Sequence, residues 1–120
     1  MREEYIMNFR DYFVNIEDEV KKQVIGQDEI VRNMLIGIIA GGNVLMEGTP
    51  GLGKTVMVKA FSRVLDLPFS RIQFTPDLMP VDITGTEIIS RSGDGVKLEF
   101  RKGPVFSSLV LADEINRATP

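Results

Sequence analysis

Residues 48–55 read GTPGLGKT, a glycine-rich run that ends in a lysine and a threonine. It matches the pattern G-x-x-x-x-G-K-[ST], in which a glycine-rich loop wraps around phosphate groups. Gly51 and Gly53 allow backbone dihedrals that a Cβ would forbid. The loop N–H groups converge into an anion nest, and the helix that begins near Lys54 adds its positive dipole end. The pattern therefore predicts a phosphate-binding loop.

The side chains of this loop carry the predicted chemistry. Lys54 places a cation against the β and γ phosphates of a nucleotide, and the Thr55 hydroxyl ligates Mg²⁺. A plain glycine turn would leave both side chains solvated, but chance gives the full pattern in roughly one chain in a few hundred of this length. The functional interpretation is therefore favoured. The predicted nucleotide-binding residues of the loop and helix are Thr49, Pro50, Gly51, Leu52, Gly53, Lys54, Thr55 and Val56.

The sequence around the loop predicts a parallel α/β sheet with flanking helices. Two helices are expected upstream, over residues 4–22 and 28–39, and the second is apolar on most of its circumference and hence largely buried. The apolar stripe of the first helix consists of Ile6, Phe9, Phe13, Ile16 and Val20. A buried strand at 43–47 enters the loop. A helix at 54–65 leaves it and turns Val56, Ala60, Phe61 and Val64 toward the core.

The remaining segments predict two more strands and a hairpin. Strands are expected at 69–74 and 109–112, the latter buried, and a loop containing Pro76 and Pro80 lies between 75 and 82. The segments on the two sides of 92–95 predict a β-hairpin over 87–101, because Val96, Leu98 and Phe100 alternate with charged residues.

A second motif follows the last predicted strand. Residues 107–114, SSLVLADE, form an apolar run that ends in two acids. Buried acids need a cation or solvent to satisfy them. Asp113 is expected to hold Mg²⁺, mostly through its waters, and Glu114 to act as the general base that activates water. Solvated acids at the end of an ordinary strand are an equally good interpretation of this segment alone, but the phosphate loop favours catalysis.

Composition limits the function further. The chain has 120 residues, no Cys and no His, which excludes disulfides, thiolate chemistry and His-based catalysis. Lys and Arg total 14 against 17 acids, so the net charge of −3 argues mildly against a nucleic-acid surface. No signal peptide or membrane span is recognisable, and we expect a soluble, cytoplasmic chain. The Asp113-Glu114 ending and the lack of an N-K-x-D motif favour ATP over GTP.

The chain resembles the AAA+ ATPases, and among them the MoxR family, from Val24 to its last residue. The resemblance rests on the two motifs above together with VIGQD at 24–28, GGNVLMEG at 41–48, RIQFTPDLMP at 71–80, DITG at 82–85, GPVF at 103–106 and LADEINRA at 111–118. It implies that residues 1–41 form N-terminal helices and that 42–120 form part of an α/β ATPase core.

The resemblance also implies roles that the residues alone do not. Val24, Ile25 and Gly26 would line the adenine pocket, although their pattern by itself favours a plain turn between helices. The hairpin would be an insert that projects toward partners, although packing on its own domain is about as good an interpretation. Arg117 occupies a family position, but the sequence assigns it no role.

The family's sheet order is 5-1-4-3-2, and its sensor residue, arginine finger and helical lid follow the second motif. We therefore expect the 120 residues to be a piece truncated after the strand at 109–112, which corresponds to the Walker B strand of the family. The missing fourth strand would lie between the strand at 43–47 and the strand at 109–112, leaving unpaired edges. An isolated copy should then be poorly stable, rearranged or strand-swapped.

Three functions fit the sequence. The favoured one is a Mg²⁺-dependent ATPase that works as a ring, expected to be a hexamer, and remodels a partner. The resemblance implies that this partner is a protein with a von Willebrand A domain. The second is a nucleotide-binding or interaction module without turnover. The third, a small-molecule phosphotransferase, would need an acceptor pocket and a mobile lid that the sequence does not reveal.

Overall fold

The computed structural model describes residues 8–48 and 53–120. The chain divides into two compact units, Met1–Asp66 and Leu67–Pro120, and each is considered by itself. No helix among the described residues is long and apolar enough to cross a membrane.

The first unit contains three helices, α1 (Phe9–Lys21), α2 (Asp28–Ile39) and α3 (Lys54–Leu65). Helix α1 begins after Asn8, whose Oδ1 accepts a hydrogen bond from the Asp11 N–H at 3.0 Å. Helix α2 ends at a left-handed Gly41, and the Gly42 N–H donates to the Gly37 carbonyl at 3.0 Å. These are the helices that the sequence predicted, except that residues 1–7, with Ile6, lie outside the described part.

Apolar side chains of all three helices form the core of this unit. Helix α1 packs on both α2 and α3. The buried residues are Val20, Val24, Val31, Met34, Leu35, Met57, Val58, Ala60 and Phe61. Two expectations about these helices are wrong. Val56 is 56% exposed rather than buried, because Met57 and Val58 occupy the buried side of α3. Helix α2 is covered on one side by the described residues, and it therefore leaves Ile30, Ile36 and Ile39 exposed.

The strand predicted at 43–47 is not formed. These residues have no strand pairing, and Val44 and Leu45 are exposed rather than buried. A strand needs a hydrogen-bonded neighbour. In the order expected from the resemblance, the neighbours of this segment are strands other than β1 and β4, and among the described residues the segment has no partner strand.

The second unit contains a parallel pair of strands, β1 (Phe69–Gln73) and β4 (Leu109–Asp113). They pair in the register Phe69↔Leu109 through Gln73↔Asp113. These are the second and third core strands of the expected order, where they are neighbours. Only Ile72 and Leu111 of the pair are buried, so the fully buried strand predicted at 109–112 is wrong, because two strands with few covering elements expose most side chains.

The hairpin predicted from alternation is confirmed and is longer than expected. Strands β2 (Gly85–Ser92) and β3 (Gly95–Lys102) pair antiparallel around a two-residue turn. The end of the predicted 75–82 loop instead forms the start of a short helix, α4 (Pro80–Thr84), whose first residue is a proline. Asp82 caps this helix, because its Oδ2 atom accepts a hydrogen bond from the Met79 N–H at 2.8 Å. At the base of the hairpin, Phe100 meets Phe106 edge-to-face with centroids 6.3 Å apart.

Candidate functional site

The described end of the phosphate loop lies at the start of α3. Gly53 caps the helix in the left-handed region, with φ of 79°, and Lys54 and Thr55 are its first two residues. The first helical hydrogen bond runs from the Met57 N–H to the Gly53 carbonyl at 2.9 Å. The N–H groups of the first turn have no helical acceptor and are available to another partner. This arrangement is suited to anion binding.

Not all of the predicted loop residues can be placed. Thr49, Pro50, Gly51 and Leu52 lie outside the described residues. The side chains of Lys54 and Thr55 are half-buried, and Val56 faces outward.

A cavity of about 330 Å³ adjoins the loop within the first unit. That is within the usual size of a small-molecule site. Its wall combines one face of α2 with the unpaired segment that enters the loop. The lining residues are Gln27, Ile30, Asn33, Met34, Val44, Leu45, Met46, Glu47, Gly48, Lys54 and Met57.

The predicted adenine residues directly precede the first lining residue, Gln27, in the sequence, but they do not line the cavity. Val24 is buried, Ile25 is 88% exposed and Gly26 has a φ of 79° in the turn before α2. The lining begins at Gln27 and continues along the helix at Ile30 and Asn33. Gln27, Ile30 and Asn33 are three positions apart, which is the sequence signal that they share one face of the helix. The apolar residues of this helix were predicted to belong to the core.

The carboxylate motif lies at the end of β4 in the second unit. Asp113 is the last residue of the strand, and its carbonyl accepts from the Phe74 N–H at 2.9 Å. Glu114 follows with φ of 54°, a left-handed conformation that non-glycine residues adopt rarely. In an extended strand the side chains of Asp113 and Glu114 would point to opposite faces of the sheet. The left-handed conformation of Glu114 departs from that alternation.

Each carboxylate has cationic or polar neighbours from the same unit. Arg71 of β1 donates from a guanidinium nitrogen to Asp113 Oδ2 at 2.7 Å. The Oε2 atom of Glu114 lies 3.4 Å from Gln73 Nε2 and 3.3 Å from a guanidinium nitrogen of Arg117. The two acids are thus neutralised by two arginines of the chain itself.

Sequence reasoning missed Arg71 and Gln73 and gave Arg117 no role. Arg71 and Gln73 are two positions apart in β1 and therefore lie on the same face of the strand. Gln73 pairs in register with Asp113. That register was the information needed, because the family-like segment at 71–80 by itself gives neither side chain a role. Arg117 lies three residues after Glu114 in a 3₁₀ turn, which is the spacing that lets two side chains meet.

The donors present suit magnesium. Mg²⁺ prefers oxygen ligands and uses one or two carboxylates together with water and phosphate oxygens. Thr55 of the first unit has a hydroxyl and Asp113 of the second unit has a carboxylate. Within the described ranges no group of three or more potential metal-ligating His, Cys, Asp or Glu residues is found.

Comparisons with known proteins point the same way. Residues 43–120 match the profile of the ATPase family associated with various cellular activities (AAA). The chain is 51% identical over 100 residues to Chaperone MoxR1 of Mycobacterium tuberculosis, covering 83% of this chain and 26% of that protein. It is 34% identical over 120 residues to Protein MoxR of Methylorubrum extorquens, covering 96% and 34%. A crystal structure of a proposed ATPase from Cytophaga hutchinsonii matches with a TM-score of 0.75 and 47% identity, covering 90% and 33%.

A helix that begins at a G-x-x-x-x-G-K-[ST] loop, together with a parallel strand that ends in two acids, defines an α/β domain of the P-loop class. The chain belongs to the AAA family of ATPases, and its similarity to MoxR proteins confirms the predicted resemblance. It spans between 26% and 34% of the length of the relatives named here.

Proposed function

We propose that the protein binds ATP with Mg²⁺ at the loop of residues 48–55 and hydrolyses it with the carboxylates that follow β4. The observation that carries the proposal is the start of α3, where a left-handed Gly53 precedes Lys54 and the N–H groups of the first turn lack helical acceptors. The family supports the nucleotide, and the oxygen donors support the metal.

Each residue has a distinct proposed task. Lys54 binds the β and γ phosphates, and the loop N–H groups orient them. Thr55 and Asp113 hold the magnesium ion, which when bound neutralises charge that develops on the phosphates. Glu114 accepts the proton of the attacking water at its carboxylate. The neighbouring Gln73 and Arg117 fix the Glu114 carboxylate in place.

We further propose the setting in which this activity works. The cavity beside Lys54 is the candidate base pocket, and the predicted adenine residues Val24, Ile25 and Gly26 lie in the turn that precedes its first lining residue, Gln27. A ring of subunits, a hexamer by the family resemblance, would use hydrolysis in the cytoplasm to remodel a partner protein. A partner with a von Willebrand A domain is the proposed kind.

The binding role is tested by Lys54→Ala in the full-length protein. Loss of a charged hydrogen-bonding group is worth about 1.5–3 kcal/mol, so Mg-ATP affinity should fall roughly tenfold to a hundredfold. Lys59→Ala is the matched control, since Lys59 is an exposed lysine on the same helix, and it should bind like the unmodified protein. Calorimetric titration measures both, and equal affinity of the two variants would refute the phosphate role.

The hydrolytic role is tested separately by Glu114→Gln. The substitution keeps the shape of the side chain and removes the base, so ATP should still bind while phosphate release stops. Retained turnover would exclude Glu114 as the base. Binding without turnover in the unmodified protein would instead identify the second function considered, a nucleotide-binding module.

A further inference from the structure

The Arg71–Asp113 ion pair lies where the proposed function puts the magnesium ligand. The guanidinium comes from β1 and reaches Asp113 Oδ2 on β4 at 2.7 Å. In the strand register Arg71 lies opposite Leu111, so its side chain extends along the sheet toward the carboxyl end to make this contact. The pair is half-exposed, with 40% of the arginine side chain and 24% of the aspartate side chain accessible.

This pairing changes the charge that a metal ion meets. A carboxylate alone presents a full negative charge to a divalent cation. With Arg71 attached, the same carboxylate is neutralised and one oxygen is already hydrogen-bonded. The positive charge of Arg71 lies a few ångströms from the carboxylate and repels an incoming cation. At this half-exposed position, solvent weakens the repulsion without removing it.

The neighbouring residues extend the effect. Arg117 lies 3.3 Å from Glu114, so each of the two acids has an arginine beside it. Acids that are paired in this way have little net attraction for a free cation. Nucleotide phosphates bring several negative charges, and these offset the arginines when the metal arrives together with the nucleotide.

We infer that Arg71 is a positioning residue that tunes the metal preference of Asp113, so that the divalent cation is taken up with the nucleotide rather than alone. Its guanidinium holds the Asp113 carboxylate in one orientation and lowers the affinity of that carboxylate for free divalent cations. This role rests on the proposed function, in which Asp113 holds the magnesium ion. It concerns binding order and is separate from the rate of hydrolysis.

The test is a titration of nucleotide-free, full-length protein with Mn²⁺, followed by electron paramagnetic resonance. Arg71→Gln removes the positive charge, and we expect Mn²⁺ to bind about three- to tenfold more tightly. Adding Asp113→Asn to that variant should remove the gain. Arg91→Gln is the matched control, because it removes one positive charge from β2 of the same unit and should leave the affinity unchanged.

Further variants keep the test decisive. Arg71→Met keeps the aliphatic length of the side chain and should behave like Arg71→Gln, so the prediction stands if one of the two fails to fold. Arg71→Lys retains the charge and should restore the unmodified affinity. Unchanged or weaker Mn²⁺ binding in the folded, uncharged variants overturns the inference.

A second measurement separates this inference from the proposed function. The Mg²⁺ concentration that gives half of the ATP-induced rise in melting temperature should fall in Arg71→Gln by a similar factor. If Asp113→Asn alone leaves this Mg²⁺ dependence unaltered, the proposed metal role of Asp113 is wrong. If Asp113→Asn weakens it while Arg71→Gln changes nothing, the metal role stands and only the tuning by Arg71 fails.

Discussion

At the scale of single residues, Glu17 carries the clearest energetic consequence. It is the buried charged residue among those described, with 3% of its side chain accessible. Lys21 lies 3.0 Å away on the same helix, and Arg32 of α2 donates to both carboxylate oxygens at 3.1 and 3.3 Å. Burial by itself raises the pKa of Glu17, but the hydrogen bonds from Arg32 and Lys21 outweigh it and hold the pKa below its ordinary value.

We expect Glu17→Gln to lower the free energy of unfolding at pH 7 by about 1 kcal/mol, because hydrogen bonds to a charged group are weakened while both cations can regain water. Since the folded pKa is depressed, this stability is present above about pH 4.5, the ordinary value, and is lost as pH falls through the lower folded value. The difference between the two proteins should therefore shrink below pH 4.5. Urea denaturation at several pH values measures it.

Glu19→Gln is the control for this pH dependence. Its ion pair with Lys22 is shorter, at 2.6 Å, but both side chains are mostly exposed. Solvent screens such pairs, so the substitution should leave unfolding unchanged within error. A pH-independent loss in Glu17→Gln would contradict an ionic origin and indicate a packing defect.

Residue-level prediction from sequence succeeded where a motif fixes local geometry. Gly53 has the positive φ expected of a phosphate loop, and Lys54 begins the helix as predicted. It failed for Arg71, because that contact depends on which residues of two strands, 42 positions apart, lie side by side. No spacing along a single segment contains that information.

At the scale of elements, the hairpin depends on two glycines at its base. A Cβ added at Gly103 would overlap the Ile83 carbonyl oxygen and lie 2.6 Å from the Gly85 nitrogen. Both are backbone atoms that cannot move aside without shifting the chain. The close approach of the segments that begin and end the hairpin therefore requires glycine.

Gly103→Ala should destabilise the second unit by about 2 kcal/mol, the middle of the range for forcing extra atoms into a packed site. The loss should be concentrated in the hairpin, so the amides of β2 and β3 should exchange faster with deuterium. Gly95→Ala in the same hairpin is the control, because a Cβ there meets nothing within 4 Å. Equal exchange rates in the two variants would show that the base of the hairpin tolerates a side chain.

Elements with a strong local pattern were predictable and those that depend on neighbours were not. The bounds of α2 and α3 agree with the sequence prediction, and the hairpin followed from period-two alternation. The segment at 43–47 has an apolar pattern as good as that of β4, but only β4 has a partner strand. Hydrogen-bonded pairing, rather than the apolar pattern, decides which of them becomes a strand.

At the scale of the whole molecule, the unpaired segment at 43–47 gives the sharpest test of the sheet order. In the order 5-1-4-3-2, which the resemblance implies, this segment is a central strand with neighbours on both sides, and neither neighbour is β1 or β4. In a polypeptide of the length of the relatives, we expect the amides of 44–46 to exchange with deuterium at least about a hundredfold more slowly than in the 120-residue chain, as central strands do. Hydrogen exchange read by mass spectrometry compares the two directly.

The pair β1 and β4 supplies the internal control for that comparison. These strands hydrogen-bond to each other within the 120 residues, so their mutually bonded amides should be protected in both polypeptides. Fast exchange at 44–46 in the longer polypeptide, with β1 and β4 protected, would show that this segment is not a strand and that the phosphate loop is held by the helices alone. Slow exchange would instead place the loop at the carboxyl end of a central strand, where a parallel α/β sheet carries its chemistry.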